Sequence, residues 1–304
     1  MILFSTDPRH HLLIIARLIL ICLLLPAATA NAADLITLQT PEQVGVGQPF
    51  LVRMTSRQPL TTVTVKWKGT EVSPSMAKSN GQHDGLLILG VGLNDATGNY
   101  PLTVSVSDGS ATQQLKRQIT VVDTVFAHET LTVDSKHVTP PDEVMERIQK
   151  ERTVILEAIR TVSPKRHWEL PFSRPVKGKM LSRFGLRRVF NGETKRRHKG
   201  LDFRAWEGTP IHAMAAGRVV LAGNFYFAGN SVFIDHGNGL ISMSCHMSKL
   251  LVKTGDSLVA GQKIGLSGAT GRVNGAHLHL SVFALGTSID PEPFFALETA
   301  SVFK

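Results

Sequence analysis

One stretch near the C-terminus of this sequence reads Gly275-Ala276-His277-Leu278-His279-Leu280. Apolar and polar residues alternate along it, which predicts a β-strand with one face turned toward a core. Because side chains two positions apart on a strand point to the same face, His277 and His279 are expected to lie side by side. Two imidazoles on one polar face are typical of metal binding or acid–base chemistry, and for this pair alone a structural role fits equally well.

A second pair of polar residues lies upstream, in the basic segment Lys195-Arg196-Arg197-His198-Lys199-Gly200-Leu201-Asp202. Gly200 and the non-periodic surroundings favour a loop or the start of a strand, where the chain can fold His198 and Asp202 onto one point. Taken alone, this pair is better explained by an ordinary surface loop. Together with His279 it supplies two imidazoles and one carboxylate, a donor set that catalytic zinc sites use.

A third candidate, His246, follows a hairpin turn predicted at Asn238-Gly239. Strict alternation along the returning strand places His246 on the polar face with Ser244, and Cys245 on the apolar face. A nucleophilic pair of Cys245 and His246 is therefore not expected, because neighbouring strand residues point to opposite faces. Cys245 is instead expected to be a small buried residue.

Residues 1–32 have the features of a secretory signal peptide. Basic residues precede the apolar run 18–25, and Ala30-Asn31-Ala32 provides a cleavage site with small residues. The apolar run is shorter than the ~20 residues needed to span a membrane. We therefore expect an exported protein with no stable membrane insertion after cleavage. Its place would be the periplasm or cell envelope, or the exterior of a single-membrane organism.

Length, charge and cysteine content set further limits. The chain has 304 residues, which predicts about two domains, and a formal net charge of +9, which suits an anionic surface or substrate. Nucleic acid would also suit a basic chain, but the sequence contains no recognisable nucleic-acid-binding motif, and export argues against such a partner. Of the two cysteines, Cys22 lies in the expected signal peptide, so the mature chain has no intrachain disulfide.

The mature N-terminal region, residues 33–122, is expected to be an immunoglobulin-like β-sandwich. Apolar and polar residues alternate at 62–68 and 102–107, and Asp108-Gly109 is a turn signal. The region contains no clustered metal ligands and no acid–base pair. A positioning or binding role is expected for it.

A helical connector, residues 123–169, is expected to follow the sandwich. The segment Thr139-Pro140-Pro141-Asp142-Glu143 has the features of a helix start, and apolar residues then recur at helical spacing to about residue 160. The pattern favours a helix at about 142–160 that packs between the domains, with a partner-binding helix as the alternative.

The motifs from residue 170 onward occur in a distinctive order. A His-x-x-x-Asp pair is followed by a single histidine before Met-Ser, and then by Ser-Gly-x-Thr-Gly-x-x-x-Gly-x-His-x-His. This order resembles that of the lysostaphin-type (LytM-like) zinc metallopeptidases, which are peptidoglycan endopeptidases, and the resemblance covers residues 170–295. Shorter matching pieces are Ser182-Arg183-Phe184-Gly185, Gly208-Thr209-Pro210-Ile211, Asp235-His236-Gly237-Asn238-Gly239 and Ile289-Asp290-Pro291.

The resemblance implies a mainly β protein whose residues 170–304 form a compact antiparallel β-sheet peptidase domain. It further implies an exported endopeptidase that hydrolyses peptide bonds in the stem peptides or cross-links of peptidoglycan. The alternative is a non-catalytic cell-wall-binding regulator that activates a separate amidase, and a third possibility is an adhesin acting through the sandwich. Degenerate members of the family lack metal ligands. This sequence retains all five side chains expected of an active member, which favours the enzyme: His198, Asp202, His246, His277 and His279. The sequence does not identify a protein regulator.

The resemblance also implies roles for individual residues. His198, Asp202 and His279 would bind one zinc ion per chain, and His246 and His277 would be catalytic without binding it. Zinc would polarise the scissile carbonyl and lower the pKa of water. One of the two catalytic histidines would take the proton and the other would stabilise the oxyanion, with the assignment left open.

Two further features are read from the same part of the sequence. His212 lies in a predicted strand at a position where members of the family usually have an aromatic or other non-ligand residue, and a structural role is expected for it. The basic residues Lys195 and Arg196, next to His198, are candidates for holding carboxylates of the peptide substrate.

Overall fold

The protein is described here from a computed structural model. Within residues 34–131, 140–190 and 193–295, no helix is long and apolar enough to cross a membrane. The expected signal peptide, the helix-start residue Thr139 and the side chains of Lys195 and Arg196 lie outside what is described. The backbone is described for residues 34–131, 140–190 and 193–295, and the side chains for the same residues except 129–131, 188–190 and 193–196.

The N-terminal region folds into two β-sheets that face each other across an apolar core. The four-stranded sheet has the order β1-β3-β7-β6 and the five-stranded sheet the order β2-β9-β8-β4-β5. Val65 and Val104 are fully buried between the sheets, as the alternation at 62–68 and 102–107 predicts, and Leu87 of the facing sheet is fully buried with them. The immunoglobulin-like assignment itself stays a prediction. The strands are β1 Thr37–Gln39, β2 Gln43–Gly45, β3 Pro49–Ser56, β4 Thr62–Trp67, β5 Thr70–Val72, β6 Ala77–Ser79, β7 Gln82–Gly90, β8 Gly98–Ser107 and β9 Thr112–Val122.

The connector contains a strand as well as the expected helix. Strand β10, His128–Leu131, pairs in parallel with a strand of the C-terminal region, which no local sequence pattern predicts. A 3-10 turn at Asp142–Val144 leads into helix α1, Met145–Ile159, which lies inside the expected range 142–160.

The C-terminal region is built around a large sheet, which confirms the expected mainly β class with an antiparallel C-terminal sheet. Its central order is β11-β14-β21-β18-β17-β16-β19, and β15, β20 and β22 pair beside this path. A small separate sheet has the order β10-β12-β13. The strands are β11 Met180–Ser182, β12 Arg187–Phe190, β13 Glu193–Arg197, β14 Leu201–Arg204, β15 Pro210–His212, β16 Gly217–Phe225, β17 Gly229–Asp235, β18 Leu240–Leu250, β19 Ser257–Leu258, β20 Lys263–Ser267, β21 His277–Ala284 and β22 Thr287–Ile289, followed by a 3-10 turn at Glu292–Phe295.

Strand β21 separates the two faces of the large sheet. Leu278, Leu280 and Val282 are at most 1% exposed and belong to the main apolar core. The other face carries His277, His279 and Ser281 in turn and then Phe283, which packs with the end of α1. The helix therefore covers one end of this face, which we call the cleft face, and the polar residues lie at the other end.

The sandwich packs on the opposite end of β21 from the histidines. The backbone N–H of Asp290 donates to Gly47 O at 2.8 Å, and Gln48 Nε2 donates to Asp290 Oδ2 at 3.2 Å. Ile88 of β7 is buried in the main core of the C-terminal region. A further contact lies nearer the histidines: Arg197 Nη1, directly before His198, donates to Leu93 O of the sandwich region at 3.2 Å.

Candidate metal centre and its histidines

Two neighbouring strands position most of the polar side chains of the cleft. In the antiparallel pair β14–β21, Asp202 lies opposite His279 and Arg204 lies opposite His277. Residues paired across an antiparallel ladder point to the same face, so all four side chains leave the cleft face of the sheet. His198 precedes β14, and its backbone N–H donates to Leu186 O at 2.9 Å.

Three ligand-type atoms meet at one point of this face. His198 Nε2 lies 3.1 Å from Asp202 Oδ1 and 3.1 Å from His279 Nδ1, and His279 Nδ1 lies 2.8 Å from Asp202 Oδ1. The three residues form a group that could hold a metal ion. The structure thus brings together the donor set named from the sequence.

The outer hydrogen bonds of His279 fix which of its nitrogens faces the cluster. Ser281 Oγ donates its one hydrogen to Lys199 O at 2.8 Å, so this oxygen can only accept from His279 Nε2, 2.9 Å away. The proton of the neutral ring is therefore on Nε2, and Nδ1 presents a lone pair to the cluster.

A hydrogen bond on the outer side of the His198 ring fixes its tautomer in the same way. Its Nδ1 lies 2.9 Å from Arg183 O, a carbonyl that can only accept, so Nδ1 carries the proton and Nε2 presents a lone pair. Burial raises the pKa of Asp202, but hydrogen bonds and charge from His198 and His279 lower it by more, which keeps Asp202 a carboxylate. The same two ring nitrogens would present lone pairs once a cation replaces those hydrogen bonds, because the other nitrogen of each ring keeps its proton. Two imidazole lone pairs and one carboxylate converge here, and such a set of acceptors fits a divalent cation such as zinc.

Gly200 is required at this site by a close approach. A Cβ added to it would lie 2.4 Å from Leu280 O and 2.7 Å from Cε1 of His279. Any side chain here would push β21 and the His279 ring away from the cluster. The sequence predicted a glycine that lets the loop fold back, and the structure gives the steric reason.

His246 reaches the cleft through an irregularity that the sequence did not predict. Asn230 pairs with Met247 and Val232 with Ser244, so two residues of β18 lie opposite the single residue Ser231. This is a β-bulge, and His246 has the left-handed backbone angle φ 63°. The prediction of strict alternation, with the two neighbours on opposite faces, is therefore wrong at this point.

The bulge places Cys245 and His246 on the same face of the sheet. Cys245 pairs with His279 across the ladder, and the ring of His246 lies 5.1 Å from that of His277 and 6.0 Å from that of His279. Burial raises the pKa of Cys245 to about 12, so it remains a thiol and not a nucleophile. Cys245 is buried as expected, but it does not lie on the face opposite His246, which was the reason given for its burial.

His246 and His277 each use one ring nitrogen to hold their orientation. His246 Nδ1 donates to Thr270 O at 3.0 Å, and His277 Nδ1 donates to Gly275 O at 2.8 Å. His277 Nε2 lies 3.7 Å from Asp202 Oδ1, beside the cluster. Burial lowers the pKa of His246 to about 4, so its ring is neutral near pH 7 with a lone pair on Nε2.

Three further residues near these strands remain to be placed: one expected to be structural and two that the sequence analysis did not identify. His212 Nδ1 lies 3.4 Å from Pro175 O, and His212 is not part of the three-residue metal group. Ser281 was missed from the sequence, although its position two residues after His279 on the same strand face could have indicated it. Arg204 was missed for the same reason, being two residues after Asp202.

Comparisons with known proteins agree with this geometry. Residues 196–291 match the family model described as Peptidase family M23. The peptidoglycan DD-endopeptidase ShyA of Vibrio cholerae is 43% identical over 116 residues, which cover 38% of this chain and 27% of ShyA. ShyC of the same organism, also named a peptidoglycan DD-endopeptidase, is 41% identical over 112 residues, covering 36% of this chain and 26% of ShyC. The chain thus spans about a quarter of the length of these relatives.

A solved structure extends the likeness beyond that segment. A crystal structure from Pseudomonas aeruginosa, assigned to peptidase M23, matches with a TM-score of 0.61 and 29% sequence identity, covering 81% of this chain and 92% of that one. A match over this share of the chain reaches beyond residues 196–291. The family segment contains the candidate metal centre and both further histidines, and this chain therefore carries a peptidase family M23 domain.

Proposed function

We propose that this protein is an exported, zinc-dependent endopeptidase that hydrolyses peptide bonds in the stem peptides or cross-links of peptidoglycan. The observation that carries the proposal is the convergence of His198 Nε2, Asp202 Oδ1 and His279 Nδ1, with two further histidines beside them. The names of the similar Vibrio cholerae proteins support peptidoglycan as the substrate. Its place of action would be the periplasm or another part of the cell envelope.

His198, Asp202 and His279 would hold the zinc ion. When bound, zinc supplies a Lewis acid for the scissile carbonyl and lowers the pKa of water. The carbonyl of Arg183 and the hydroxyl of Ser281 keep the two imidazoles in the tautomers that bind metal. These outer contacts keep the donor atoms aimed at one point.

The remaining two histidines divide the proton chemistry. His246 presents Nε2, since its Nδ1 is bound to Thr270 O, and it would accept a proton from the attacking water and pass it to the amine nitrogen as the C–N bond breaks. His277, whose Nε2 lies 3.7 Å from Asp202 Oδ1, is assigned the other role, stabilisation of the oxyanion as the tetrahedral intermediate forms. Because Nδ1 of His277 is bound to Gly275 O, only Nε2 can make that contact.

We assign this chemistry to the peptidase region, residues 170–304, as the sequence divides the chain. The sandwich, residues 33–122, and the connector, residues 123–169, would position the peptidase or its substrate. The contacts of Asp290 with Gly47 and Gln48 join the two regions and support a positioning role.

Metal analysis combined with digestion of purified peptidoglycan tests the proposal. The mature chain from Ala33 is compared with His279→Ala and with the control His212→Ala, which removes an imidazole outside the metal group. We expect about one zinc per chain and new peptide termini for the wild type and the control, and neither for His279→Ala. Peptidoglycan bound without zinc and without cleavage would contradict the enzyme and favour the amidase-activating regulator.

A further inference from the structure

Arg204 is a charged residue on the cleft face that the proposed chemistry leaves unused. It lies opposite His277 in the β14–β21 ladder, so its side chain leaves the same face next to that of His277. Its side chain is exposed, and among the described residues no carboxylate lies within ion-pair distance of its guanidinium. An arginine beside the reacting groups is thus available to bind an anionic group.

Trp206 supports this arginine from the following turn. The guanidinium of Arg204 lies 5.9 Å from the centre of the indole ring, within cation–π distance. The Trp206 side chain is 73% exposed, which is unusual for the largest apolar side chain. In this position the indole ring is free to fix the direction of the guanidinium and to contact a bound ligand.

The exposure of Trp206 is fixed by a rigid turn. Ser267, which is 1% exposed, donates from Oγ to Ala205 O at 2.9 Å and from its backbone N–H to Thr209 O at 2.8 Å. Its carbonyl accepts from the N–H of Gly208 at 2.9 Å. Three hydrogen bonds from one buried residue hold the turn that presents the indole ring.

The same segment also holds His277. The carbonyl of Gly268, the residue after Ser267, accepts from the backbone N–H of His277 at 3.3 Å. Trp206, Arg204 and His277 are therefore held by one continuous piece of chain and the adjacent ladder. This gives Arg204 a defined position relative to the reacting bond.

Two lysines lie in the segment that pairs with the backbone of Arg204. Its backbone N–H donates to the carbonyl of Lys179 at 2.9 Å, and both Lys179 and Lys177 are exposed. Glu207, also exposed, is the one acidic residue of the described turn 205–209. A planar guanidinium recognises carboxylates in two-point geometry, and Asp202, the carboxylate on the same strand face, is already held by His198 and His279.

We propose that Arg204, oriented by Trp206, is a subsite for a free carboxylate of the peptide substrate next to the scissile bond. The inference rests on the proposed function, because it takes the substrate to be a peptide whose carbonyl reacts beside His277. The expectation that Lys195 and Arg196 hold substrate carboxylates concerns side chains outside the described residues and stays a separate prediction. Trp206 acts here as a positioning residue for the guanidinium.

Binding to the metal-free protein tests the subsite separately from catalysis. The probes are a cross-linked muropeptide dimer, purified after muramidase digestion of peptidoglycan, and the same dimer with its carboxylates converted to amides. Arg204→Gln is compared with the wild type and with Arg218→Gln, which removes an exposed arginine from β16, three strands away from β21. Titration calorimetry gives the Kd of each combination.

We expect Arg204→Gln to raise the Kd of the unmodified dimer ~10-fold or more, as loss of a charge-assisted hydrogen bond predicts. The amidated dimer should bind the wild type and Arg204→Gln equally weakly, because the partner of the guanidinium is already gone. Trp206→Leu should raise the Kd of the unmodified dimer alone. Arg218→Gln should change neither Kd.

Three results would overturn the subsite. Arg204→Gln could raise the Kd of both dimers equally, or raise the Kd of the unmodified dimer no more than Arg218→Gln does. Either result would show that Arg204 does not bind a carboxylate. Trp206→Leu could weaken both dimers equally, which would indicate stacking on sugar instead. A wild type that binds the dimer with this pattern and does not cleave it when loaded with zinc would refute the proposed function and leave the subsite intact.

Discussion

The turn that carries His236 and the bulge that carries His246 both bury a histidine, yet they treat its two ring nitrogens differently. Burial lowers the pKa of both rings to about 4. His236 bonds Ala216 O through Nδ1 and Ser242 Oγ through Nε2, each at 2.8 Å. His246 bonds Thr270 O through Nδ1, and in the described part of the chain no hydrogen bond reaches its Nε2.

This difference separates a structural histidine from a reactive one better than burial or pKa does. The open Nε2 of His246 can take part in proton transfer, whereas both ring nitrogens of His236 are used in holding the fold. His246 also keeps a left-handed φ of 63°, which a residue with a Cβ adopts at a cost of about 1–2 kcal/mol. At the bulge the left-handed backbone angle falls on the histidine itself. In the His236 turn it falls on Asn238, φ 54°, whose buried Oδ1 and Nδ2 have no hydrogen-bond partner among the described residues.

The largest expected effect is the loss of turnover in His246→Ala. Removing a general base lowers kcat by about 10²–10⁴-fold. Alanine retains the Cβ, so the backbone strain at this position stays the same, and zinc content should not change. Steady-state cleavage of the muropeptide dimer and metal analysis measure the two quantities. Full turnover by His246→Ala would show that His246 is not a reactive histidine, and the distinction from the structural His236 would no longer hold.

His236→Ala should have the opposite pattern. It leaves Ser242 Oγ and Ala216 O without their partner and opens a cavity, so the free energy of unfolding should fall by about 3 kcal/mol. The kcat of the folded protein should stay near the wild-type value. Urea denaturation and kcat per active site check this. A drop in kcat as large as that of His246→Ala, with unchanged stability, would contradict the assignment.

The pH dependence of stability sharpens the contrast for His236. Its pKa falls from 6.5 to about 4 on folding, so the folded state resists protonation. The stabilisation is fully present above pH 6.5 and is lost as the pH falls toward 4, by roughly 3 kcal/mol in total. In this window His236→Ala should lose about 1.4 kcal/mol less per pH unit than the wild type. Equal slopes in denaturation curves would refute the cause given for the shift.

Ser281→Ala should reduce metal affinity with little change in the fold. Loss of an outer hydrogen bond to a metal-binding histidine costs about 10–100-fold in affinity. Ser288→Ala is the matched control, since Ser288 Oγ also donates to Lys199 O, at 3.2 Å, but has no bond to His279. Competition with a zinc chelator gives the two affinities. Equal affinities in both variants would show that Ser281 does not orient His279.

The sequence predicted those parts of the site that depend on local periodicity. Alternation at 277–282 placed both histidines on one face and three apolar residues in the core, because the period of a strand is two. The bulge at His246 escaped prediction, since one extra residue opposite Ser231 reverses the faces and nothing in the local pattern marks it.

The contacts between distant segments could not be predicted for a different reason. Strand β10 pairs with β12 across more than fifty residues of chain, and such a pairing depends on how the two regions pack rather than on local sequence. The lone-pair directions of His198 and His279 likewise depend on carbonyl and hydroxyl groups that only the fold brings close.

The smallest expected effect concerns how the connector holds the two histidine regions. Residues of the connector bind both: Ser163 O accepts from Asn238 N–H at 2.6 Å beside His236, and Glu151 Oε2 of α1 accepts from Tyr226 N–H at 2.7 Å. The loop after Tyr226 contains Ala228, whose carbonyl accepts from His246 N–H at 3.0 Å.

Glu151→Ala should therefore lower the free energy of unfolding by about 1–2 kcal/mol, because a backbone N–H loses a charged acceptor. It should also lower kcat a few-fold, since the loop that holds the His246 bulge is loosened. Glu146→Ala is the control: Glu146 pairs with Lys150 on the exposed side of α1 and should change stability by at most ~0.5 kcal/mol. If Glu151→Ala lowered stability and left kcat at the wild-type value, α1 would stabilise the fold without positioning His246. The two histidine regions would then differ in their hydrogen bonds alone, and not in how the connector holds them.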